Sequence, residues 1–456
     1  MSLGRPRLLI IGNGMACNRL LTRLQEQGGE HFRITVIGQE REPAYNRVLL
    51  TPWLNGEIST DELRLQTSDW YERNQIQLHL GDAVVSLDVL ARQARCASGS
   101  VFTWDLLVLA TGSQALMPPL PGSDLNGVMC LRTREDAQQL LNSSHASITG
   151  QRRVVVLGGG VLGLEAACAL HDQGIKVCVV HRDRWLMNRQ LDEEAGQHLG
   201  EAIRARGIEV YTGMQCNRFL ASDQNAERLG RVELIAHEQG HGHEHGHGHE
   251  HGHGEPDSQT EPVTLDADTV VVAIGIKPET SLAADAGLRC AQGIQVDKWM
   301  RSSVEGVFAL GECCQIDQQL FGLVAPVYQQ ADVLAELLTR GQWQRRQPAT
   351  KGYEPQTLAT RLKVAGLDVC SVGMPPSVIA GGWRSLVWRD PRNAHYRRLW
   401  LQQGRLRAAI GLGDIDGLNT LGNLIDEQWV PADPAALLLG HEGHDPAVNS
   451  DREMAA

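Results

Sequence analysis

Glycine residues at a fixed spacing follow a short apolar run at two places in this sequence. At the first, residues 8–11 predict a strand, Gly12-Asn13-Gly14 a tight turn and residues 15–24 a helix. Gly14 lets a pyrophosphate approach the free N–H groups of the helix N-terminus, where the helix dipole favours negative charge. Cys17 stands where a third glycine is usual. The order of strand, glycine turn and helix predicts a dinucleotide site.

The second copy of this pattern is complete. Residues 153–157 predict a β-branched strand, and Gly158-Gly159-Gly160 together with Gly163 supply all three spaced glycines. A further apolar strand, residues 175–180, arrives at the expected distance. Two dinucleotide sites in one chain predict that a hydride passes between two bound nucleotides.

The residues that follow the second strand of each copy should meet an adenosine ribose. In the first copy Glu40 is the candidate acceptor of the ribose hydroxyls, with Gln39 as a competitor and a solvated loop acid as the alternative. In the second copy the chain reads His181-Arg182-Asp183. Arg182 is suited to a 2′-phosphate, or it pairs only with Asp183; we expect use of both NADH and NADPH.

Three more apolar runs, residues 105–112, 268–275 and 307–312, predict buried strands that end in small turns. Their last residues are Ala110-Thr111-Gly112, Gly275 and Gly311-Glu312. The carboxylate of Glu312 is suited to accept a hydrogen bond from a ribitol hydroxyl.

These motifs resemble, in their order, the Ala-Thr-Gly, Gly-Gly-Gly-x-x-Gly-x-Glu and Gly-Glu-Cys signatures of FAD-dependent pyridine nucleotide oxidoreductases. Residues 43–50, 187–195 and 322–326 are similar to the reductase portion of assimilatory NAD(P)H nitrite reductases and to the flavoprotein component of bacterial assimilatory nitrate reductases. The resemblance covers nearly the whole chain. It implies an α/β fold with two Rossmann-like dinucleotide-binding domains of the glutathione-reductase type and a small C-terminal α+β domain.

The resemblance also implies the binding residues. FAD would contact Gly12, Gly14, Met15, Glu40, Arg47, Val84, Ala110, Thr111, Gly112, Gly311, Glu312 and Pro326. NADH or NADPH would contact Gly158, Gly160, Gly163, Glu165, His181, Arg182 and Gly275. Thr51-Pro52 stands where more distant relatives have Ser-Lys, so Glu165 either lies unpaired near the nicotinamide or caps local backbone. No catalytic acid or base is predicted, because hydride transfer needs positioning alone.

The predicted domains follow from these motifs. An FAD-binding domain takes residues 1–120 and 285–345, an NAD(P)H-binding domain takes residues 121–284, an interface domain takes residues 351–430 and a tail takes residues 431–456. In the interface domain, strands are predicted at residues 358–367, 384–389, 396–402 and 405–411. We expect this domain to pack on the flavin domain or on a second subunit, which leaves a homodimer open, and exposed tryptophans among Trp383, Trp388 and Trp400 would help to dock an acceptor.

The ten cysteines form no Cys-x-Cys or Cys-x-x-Cys spacing, so neither a redox dithiol nor an iron–sulfur cluster is expected. The adjacent pair Cys313-Cys314 is interpreted as structural. Electrons would then leave from the flavin. The resemblance implies a stand-alone reductase, since nitrite reductase large subunits continue into iron–sulfur and sirohaem domains. The expected acceptor is the molybdenum-containing subunit of an assimilatory nitrate reductase, with rubredoxin or a small ferredoxin as the alternative. A flavin-based redox or metal sensor is a third reading.

Seven histidines alternate with other residues in a loop predicted at residues 237–256. They are His241, His243, His245, His247, His249, His251 and His253. Imidazoles on a glycine-rich chain bind zinc, nickel or copper from solution, but no fixed surroundings are evident to orient them. We interpret the tract as a tolerated surface insertion with an adventitious metal site.

Composition bounds the remaining classes. The net charge is −12 and the pI about 5.8, which argues against a nucleic-acid or anionic membrane surface as partner. Scattered cysteines inside apolar runs favour a reducing cytoplasm.

Overall fold

The computed structural model describes residues 5–142, 152–237, 261–364, 366–375 and 382–439. Two compact units share the chain. The first comprises Met1–Leu116, Arg132–Ala137 and Gly275–Pro355, and the second comprises Met117–Leu131, Gln138–Ile274 and Gln356–Ala456. Helix Arg134–Asn142 is divided between the two.

A parallel sheet forms the centre of the first unit. Its strands, in spatial order, are Val307–Ala309, Leu106–Leu109, Arg7–Ile11, Arg33–Gly38 and Gln77–Leu80. Leu8, Ile10 and Val108 are fully buried, as near-continuous apolar strands of a sheet covered on both faces should be.

Smaller elements complete this unit. Antiparallel strands Val84–Asp88, Gln93–Cys96 and Val101–Thr103 form one sheet, Ser113–Ala115 pairs with Ile276–Pro278, and a third sheet has strands Ile294–Val296, Cys314–Ile316 and Gln319–Leu320. The helices are Met15–Glu26, Leu50–Leu54, Thr60–Leu63, Ser68–Arg73, Ser281–Asp285 and Val324–Thr339.

The second unit repeats the parallel architecture. Its strands, in spatial order, are Glu209–Thr212, Lys176–His181, Arg153–Leu157, Thr269–Val272 and Val128–Cys130. Helices Val161–Asp172 and Glu193–Ala205 and the antiparallel strands Met214–Ser222, Asn225–Ala236 and Val263–Asp266 accompany it. The predicted α/β class, with two parallel sheets, is confirmed.

The C-terminal part of the second unit is a five-stranded antiparallel sheet. Its strands, in spatial order, are Ala359–Val364, Leu367–Gly373, Arg405–Leu412, His395–Gln402 and Trp383–Asp390. Positive φ angles at Gln403 and Gly404 form the hairpin turn between the strands His395–Gln402 and Arg405–Leu412. Trp400 is 2% exposed, so the expectation that it is an exposed docking residue is wrong.

This sheet packs on the parallel-sheet part of its own unit, a contact that the sequence did not predict. The Tyr396 hydroxyl donates to Asp192 at 2.8 Å, Arg398 pairs with the same carboxylate at 2.7 Å, and the Ser371 hydroxyl donates to the carbonyl of Gln190 at 2.7 Å. Helices Leu421–Asp426 and Pro434–Leu438 cover the other side, so the predicted tail begins with a packed helix.

The chain re-enters the first unit at Gly275. The cause is backbone pairing: the N–H of Leu116 donates to the carbonyl of Gly275, and the N–H of Glu279 donates to that of Gly112. Within the described ranges, no helix is both long and apolar enough to span a bilayer.

Candidate functional site

The first glycine turn has the shape that a pyrophosphate needs. Gly12 has φ +104°, and a Cβ there would lie 2.1 Å from the carbonyl oxygen of Ala110, so only glycine fits. A Cβ at Gly14 would meet no atom within 4 Å. Helix Met15–Glu26 has no side-chain cap and no acidic residue in its first turn, which leaves its N-terminal N–H groups for an anion.

Glu40 lies beside this turn with two partners. The Tyr45 hydroxyl donates to its carboxylate at 2.6 Å, and Arg47 forms an ion pair with the other carboxylate oxygen. Arg47 also packs over the Tyr45 ring and donates to the carbonyl of Arg132. The predicted residues Glu40 and Arg47 are therefore brought together, and they hold each other in place.

Glu312 follows the strand Val307–Ala309 and is also paired. Its Oε2 accepts hydrogen bonds from the Ser113 hydroxyl at 2.7 Å and from the guanidinium of Arg132. Sequence reasoning missed Arg132, because a single arginine after a short strand carries no signal until the fold brings it to an acid. Arg132, Ser113 and Glu312 form a polar edge next to Thr111 and Gly112.

Pro326 lies in the first turn of helix Val324–Thr339, whose N-cap Leu323 offers no side-chain acceptor. Gln330 of this helix is fully buried, and its Oε1 accepts the N–H of Gly311 at 2.8 Å, which fixes the turn before Glu312. The helix thus positions Gly311 and presents its own N-terminus on the same unit.

Cys313 and Cys314 are fully buried. The Cys313 thiol donates to the carbonyls of Leu109 and Leu310, and the Cys314 thiol donates to the carbonyl of Gly311 and to Gln330. Burial raises the pKa of both thiols. Protonated, hydrogen-bonded thiols are poor nucleophiles, which agrees with a structural role.

The second glycine turn is built on the same plan. Gly158 has φ +119°, and a Cβ there would lie 2.3 Å from the carbonyl oxygen of Ala273; a Cβ at Gly163 would lie 2.0 Å from that of Gly158. Gly160 caps helix Val161–Asp172 with open space around it, no side-chain cap and no acid in the first turn. Helix Glu193–Ala205 differs, since Asp192 caps it and two glutamates fill its first turn. The N-terminus of helix Val161–Asp172, which has no cap, therefore suits a bound anion.

His181 and Arg182 follow strand Lys176–His181 and behave differently. His181 is buried, and its Nδ1 accepts the N–H of Gly159 at 3.1 Å, so its imidazole holds the glycine turn. Burial lowers the pKa of His181. The Arg182 side chain is 63% exposed, and its Nε lies 3.5 Å from Asp183. The weak pairing leaves this guanidinium accessible to a ligand.

Glu165 lies in helix Val161–Asp172 and is half-buried. The Glu165 carboxylate has no hydrogen bond or ion pair with any described residue, and burial raises its pKa to about 7. The expectation that it caps local backbone is thus not met within the described ranges. A half-buried carboxyl with a raised pKa and no observed side-chain partner is a candidate to contact a bound ligand.

The other predicted residues are distributed as follows. Val84 begins a strand of the small antiparallel sheet, Met15 begins the first helix, Ala110 donates its N–H to the carbonyl of Ile11, and Gly275 has φ +132° in the first unit. The predicted histidine tract, residues 241–253, lies outside the described residues.

Two known protein families match parts of this sequence. Residues 6–334 match the pyridine nucleotide-disulphide oxidoreductase family, and residues 359–429 match the rubredoxin NAD+ reductase C-terminal domain. The chain is 32% identical to an NAD(P)H nitrite reductase of Bacillus subtilis over 93% of this chain and 48% of that protein. It is also 32% identical to the assimilatory nitrate reductase electron transfer subunit of the same organism, over 81% of this chain and 43% of that protein.

The chain therefore spans about half the length of these curated relatives. In fold it is similar to the NADH:rubredoxin oxidoreductase of Clostridium acetobutylicum, with a TM-score of 0.70, 21% identity and coverage of 94% of this chain and 97% of that one. The family match extends over both glycine turns and over Glu312. The chain belongs to the pyridine nucleotide-disulphide oxidoreductase family, and its cofactors are FAD and NAD(P)H.

Proposed function

We propose that this enzyme takes a hydride from NADH or NADPH onto FAD and delivers the electrons to a redox centre outside these 456 residues. The proposed acceptor is the molybdenum-containing subunit of an assimilatory nitrate reductase. Bound FAD supplies the redox chemistry, because it accepts two electrons together and can release them singly. The protein binds and orients the two nucleotides and excludes side reactions.

The observation that carries this proposal is that the helix after each of the two glycine turns has no side-chain cap. In addition, all ten cysteines are free. Gly12 and Gly14 would hold the pyrophosphate of FAD, and Gly158 and Gly160 that of NAD(P)H. Because Cys313 and Cys314 are buried and donate hydrogen bonds to carbonyl groups, no thiol relay is needed between flavin and acceptor.

The side chains around the two turns would orient the cofactors. Glu40, fixed by Tyr45 and Arg47, offers carboxylate oxygens to ribose hydroxyls. Glu312, paired with Arg132, offers its Oε1 to the ribitol chain, since both of its observed hydrogen bonds use Oε2.

Two acceptor classes compete, and each has support. The electron transfer subunit named among the relatives favours nitrate reductase. The match of residues 359–429 to a rubredoxin reductase domain favours rubredoxin or a small ferredoxin as the second candidate. The ten free cysteines favour a reducing cytoplasm as the location.

The acceptor is identified by reconstitution. With nitrate as substrate, the enzyme, NADH and the purified catalytic subunit of an assimilatory nitrate reductase should together produce nitrite, and omission of any one component should stop production. Rubredoxin and a plant-type ferredoxin are the matched acceptors, followed by their own absorbance changes. Efficient reduction of rubredoxin with no nitrite formed would reject nitrate reductase as the partner.

The binding mode of the flavin has its own test. Acid denaturation should release yellow FAD into the supernatant, because no side chain at the proposed site is an attachment point. Flavin retained by the precipitate, or FMN in its place, would contradict non-covalent FAD.

A further inference from the structure

Three side chains of different chemistry converge in the first unit. His79 lies in strand Gln77–Leu80, Asp82 in the turn that follows, and Cys96 at the end of strand Gln93–Cys96. One potential ligand atom from each lies within 4.8 Å of the other two. Asp82 and Cys96 are buried, whereas the His79 side chain is 33% exposed.

Neighbouring residues hold each of these side chains. Asp82 accepts the backbone N–H of Ser98 at 3.0 Å and the Ser98 hydroxyl at 2.5 Å. The His79 ring packs against Phe102 with centroids 5.0 Å apart, and its Nε2 lies 2.9 Å from Asp82. Such surrounding contacts orient metal ligands in known sites.

We propose that His79, Asp82 and Cys96 form a binding site for a divalent metal ion of the zinc class. One nitrogen, one oxygen and one sulfur ligand are the set that zinc accepts, and three protein ligands leave a fourth position for water. The exposed face of His79 gives that water, and the ion, a route from solvent.

The spacing is compatible with such an ion. Ligand atoms at 2.0 to 2.3 Å from a tetrahedral zinc lie about 3.3 to 3.8 Å from one another. The observed separation of at most 4.8 Å closes by small side-chain rotations, and the His79–Asp82 pair must open slightly from 2.9 Å.

Charge also balances. M²⁺ binds the Cys96 thiolate and an unprotonated ring nitrogen of His79, and the protons that these two ligand atoms give up pass to solvent. The dication, one thiolate and one carboxylate sum to zero, so the buried site carries no net charge.

A bound ion would cross-link two segments of the backbone in the first unit. The N–H of Gly81 donates to the carbonyl of Glu40 at 3.0 Å, and the N–H of Asp82 donates to that of Gly38 at 3.2 Å. Metal binding would link this turn to the strand of Cys96 and stiffen the backbone on which Glu40 sits. The alternative is a hydrogen-bonded cluster that links the same turn and strand without any ion.

The test must first remove the histidine tract, which would bind the same metals. All seven tract histidines are replaced by Ser in the full chain, and the chelator-treated, reduced protein is titrated with Zn²⁺ by calorimetry without oxygen. We expect one Zn²⁺ per chain. His79→Gln and Cys96→Ser should each weaken binding at least about tenfold, while Cys290→Ser, a half-buried thiol of the same unit, should bind as the tract-free parent does.

Retained FAD checks that each variant folds. If His79→Gln or Cys96→Ser loses FAD, Co²⁺ is added instead to the tract-free parent, and its absorption spectrum is recorded. One equivalent of Co²⁺ should give ligand-field bands at longer wavelength than flavin absorption, together with thiolate-to-cobalt charge transfer. The proposal is overturned if the tract-free parent binds neither ion, if folded His79→Gln and Cys96→Ser bind Zn²⁺ as tightly as it does, or if bound Co²⁺ shows no thiolate.

Discussion

Nδ1 of His181 accepts a hydrogen bond from the backbone N–H of Gly159 at 3.1 Å, so a side chain at the end of one strand holds the glycine turn at the end of its neighbour. The parallel register, with Leu157 opposite Val180, brings the two together. An imidazole can accept this bond only while Nδ1 is unprotonated. The geometry of the turn is thereby tied to the protonation state of His181.

Acid should therefore weaken nucleotide binding. The pKa of His181 is lowered in the folded protein, so the unfolded chain binds more protons below about pH 6.5, and stability falls as pH falls through that range. We expect kcat/KM for NADH to fall as the pH is lowered below about 6.5. His181→Gln, whose amide oxygen can accept without titrating, should flatten this profile. His171→Gln, at the other end of the helix, should keep it; an unchanged profile in His181→Gln would rule out this residue as the cause.

Arg182 and Asp183 should set the choice of nucleotide in opposite directions. Arg182→Ala should lower kcat/KM for NADPH by a factor equivalent to about 1.5 to 3 kcal/mol, the free energy of a charge-assisted hydrogen bond. The effect on kcat/KM for NADH should be smaller. Asp183→Asn removes a carboxylate that repels a 2′-phosphate and frees Arg182 from its contact at 3.5 Å, so the ratio of NADPH to NADH use should rise. Equal effects on both nucleotides would show that Arg182 does not read the phosphate.

The glycines of the two turns separate folding from binding. Gly12→Ala and Gly158→Ala place a Cβ 2.1 Å and 2.3 Å from a carbonyl oxygen, so both should lower the melting temperature or prevent folding. Gly14→Ala and Gly160→Ala meet no atom within 4 Å and should fold normally. Gly14→Ala should bind FAD more weakly, whereas Gly160→Ala should retain FAD and raise KM for NAD(P)H. Unchanged affinities in the two well-folded variants would place the pyrophosphates elsewhere.

Much of this architecture could be predicted from the sequence, because the core strands are apolar runs bounded by glycine. Residues 153–157 were predicted and observed with the same bounds. The predicted strand at residues 358–367 contains the observed strand Ala359–Val364, but the next strand, Leu367–Gly373, was not predicted beyond its first residue. Packing of the helix Pro434–Leu438 depends on long-range contacts that no local pattern encodes.

The site was predictable where spacing alone defines it, as at the glycine turns. Partners brought together by the fold were not predictable. Arg132 meets Glu312 across 180 positions of sequence. The contact of His181 with Gly159 was not predicted, because it depends on the pairing of adjacent parallel strands.

Glu165 makes a further prediction about pH. Burial raises the pKa of its carboxyl to about 7, so the folded protein binds more protons than the unfolded chain between about pH 4.5 and pH 7. Stability contributed by the neutral carboxyl is present at low pH and is lost as pH rises through 7. At about pH 8, Glu165→Gln should raise the free energy of unfolding by roughly 1 to 2 kcal/mol, which is measured as a higher melting temperature. At about pH 5 the same substitution should change the melting temperature little. The exposed Glu201→Gln is the control, and equal gains at both pH values would contradict the assignment.

The central claim is that electrons pass from NAD(P)H to FAD with no cysteine as carrier. Anaerobic titration with NADH tests it most directly, because each NADH supplies two electrons and bound FAD takes up two. We predict that one equivalent of NADH per FAD bleaches the oxidised flavin completely, and that Cys313→Ser with Cys314→Ser gives the same endpoint. A requirement for two equivalents in the parent, reduced to one in the double variant, would show that these thiols form a redox-active disulfide and would contradict the account.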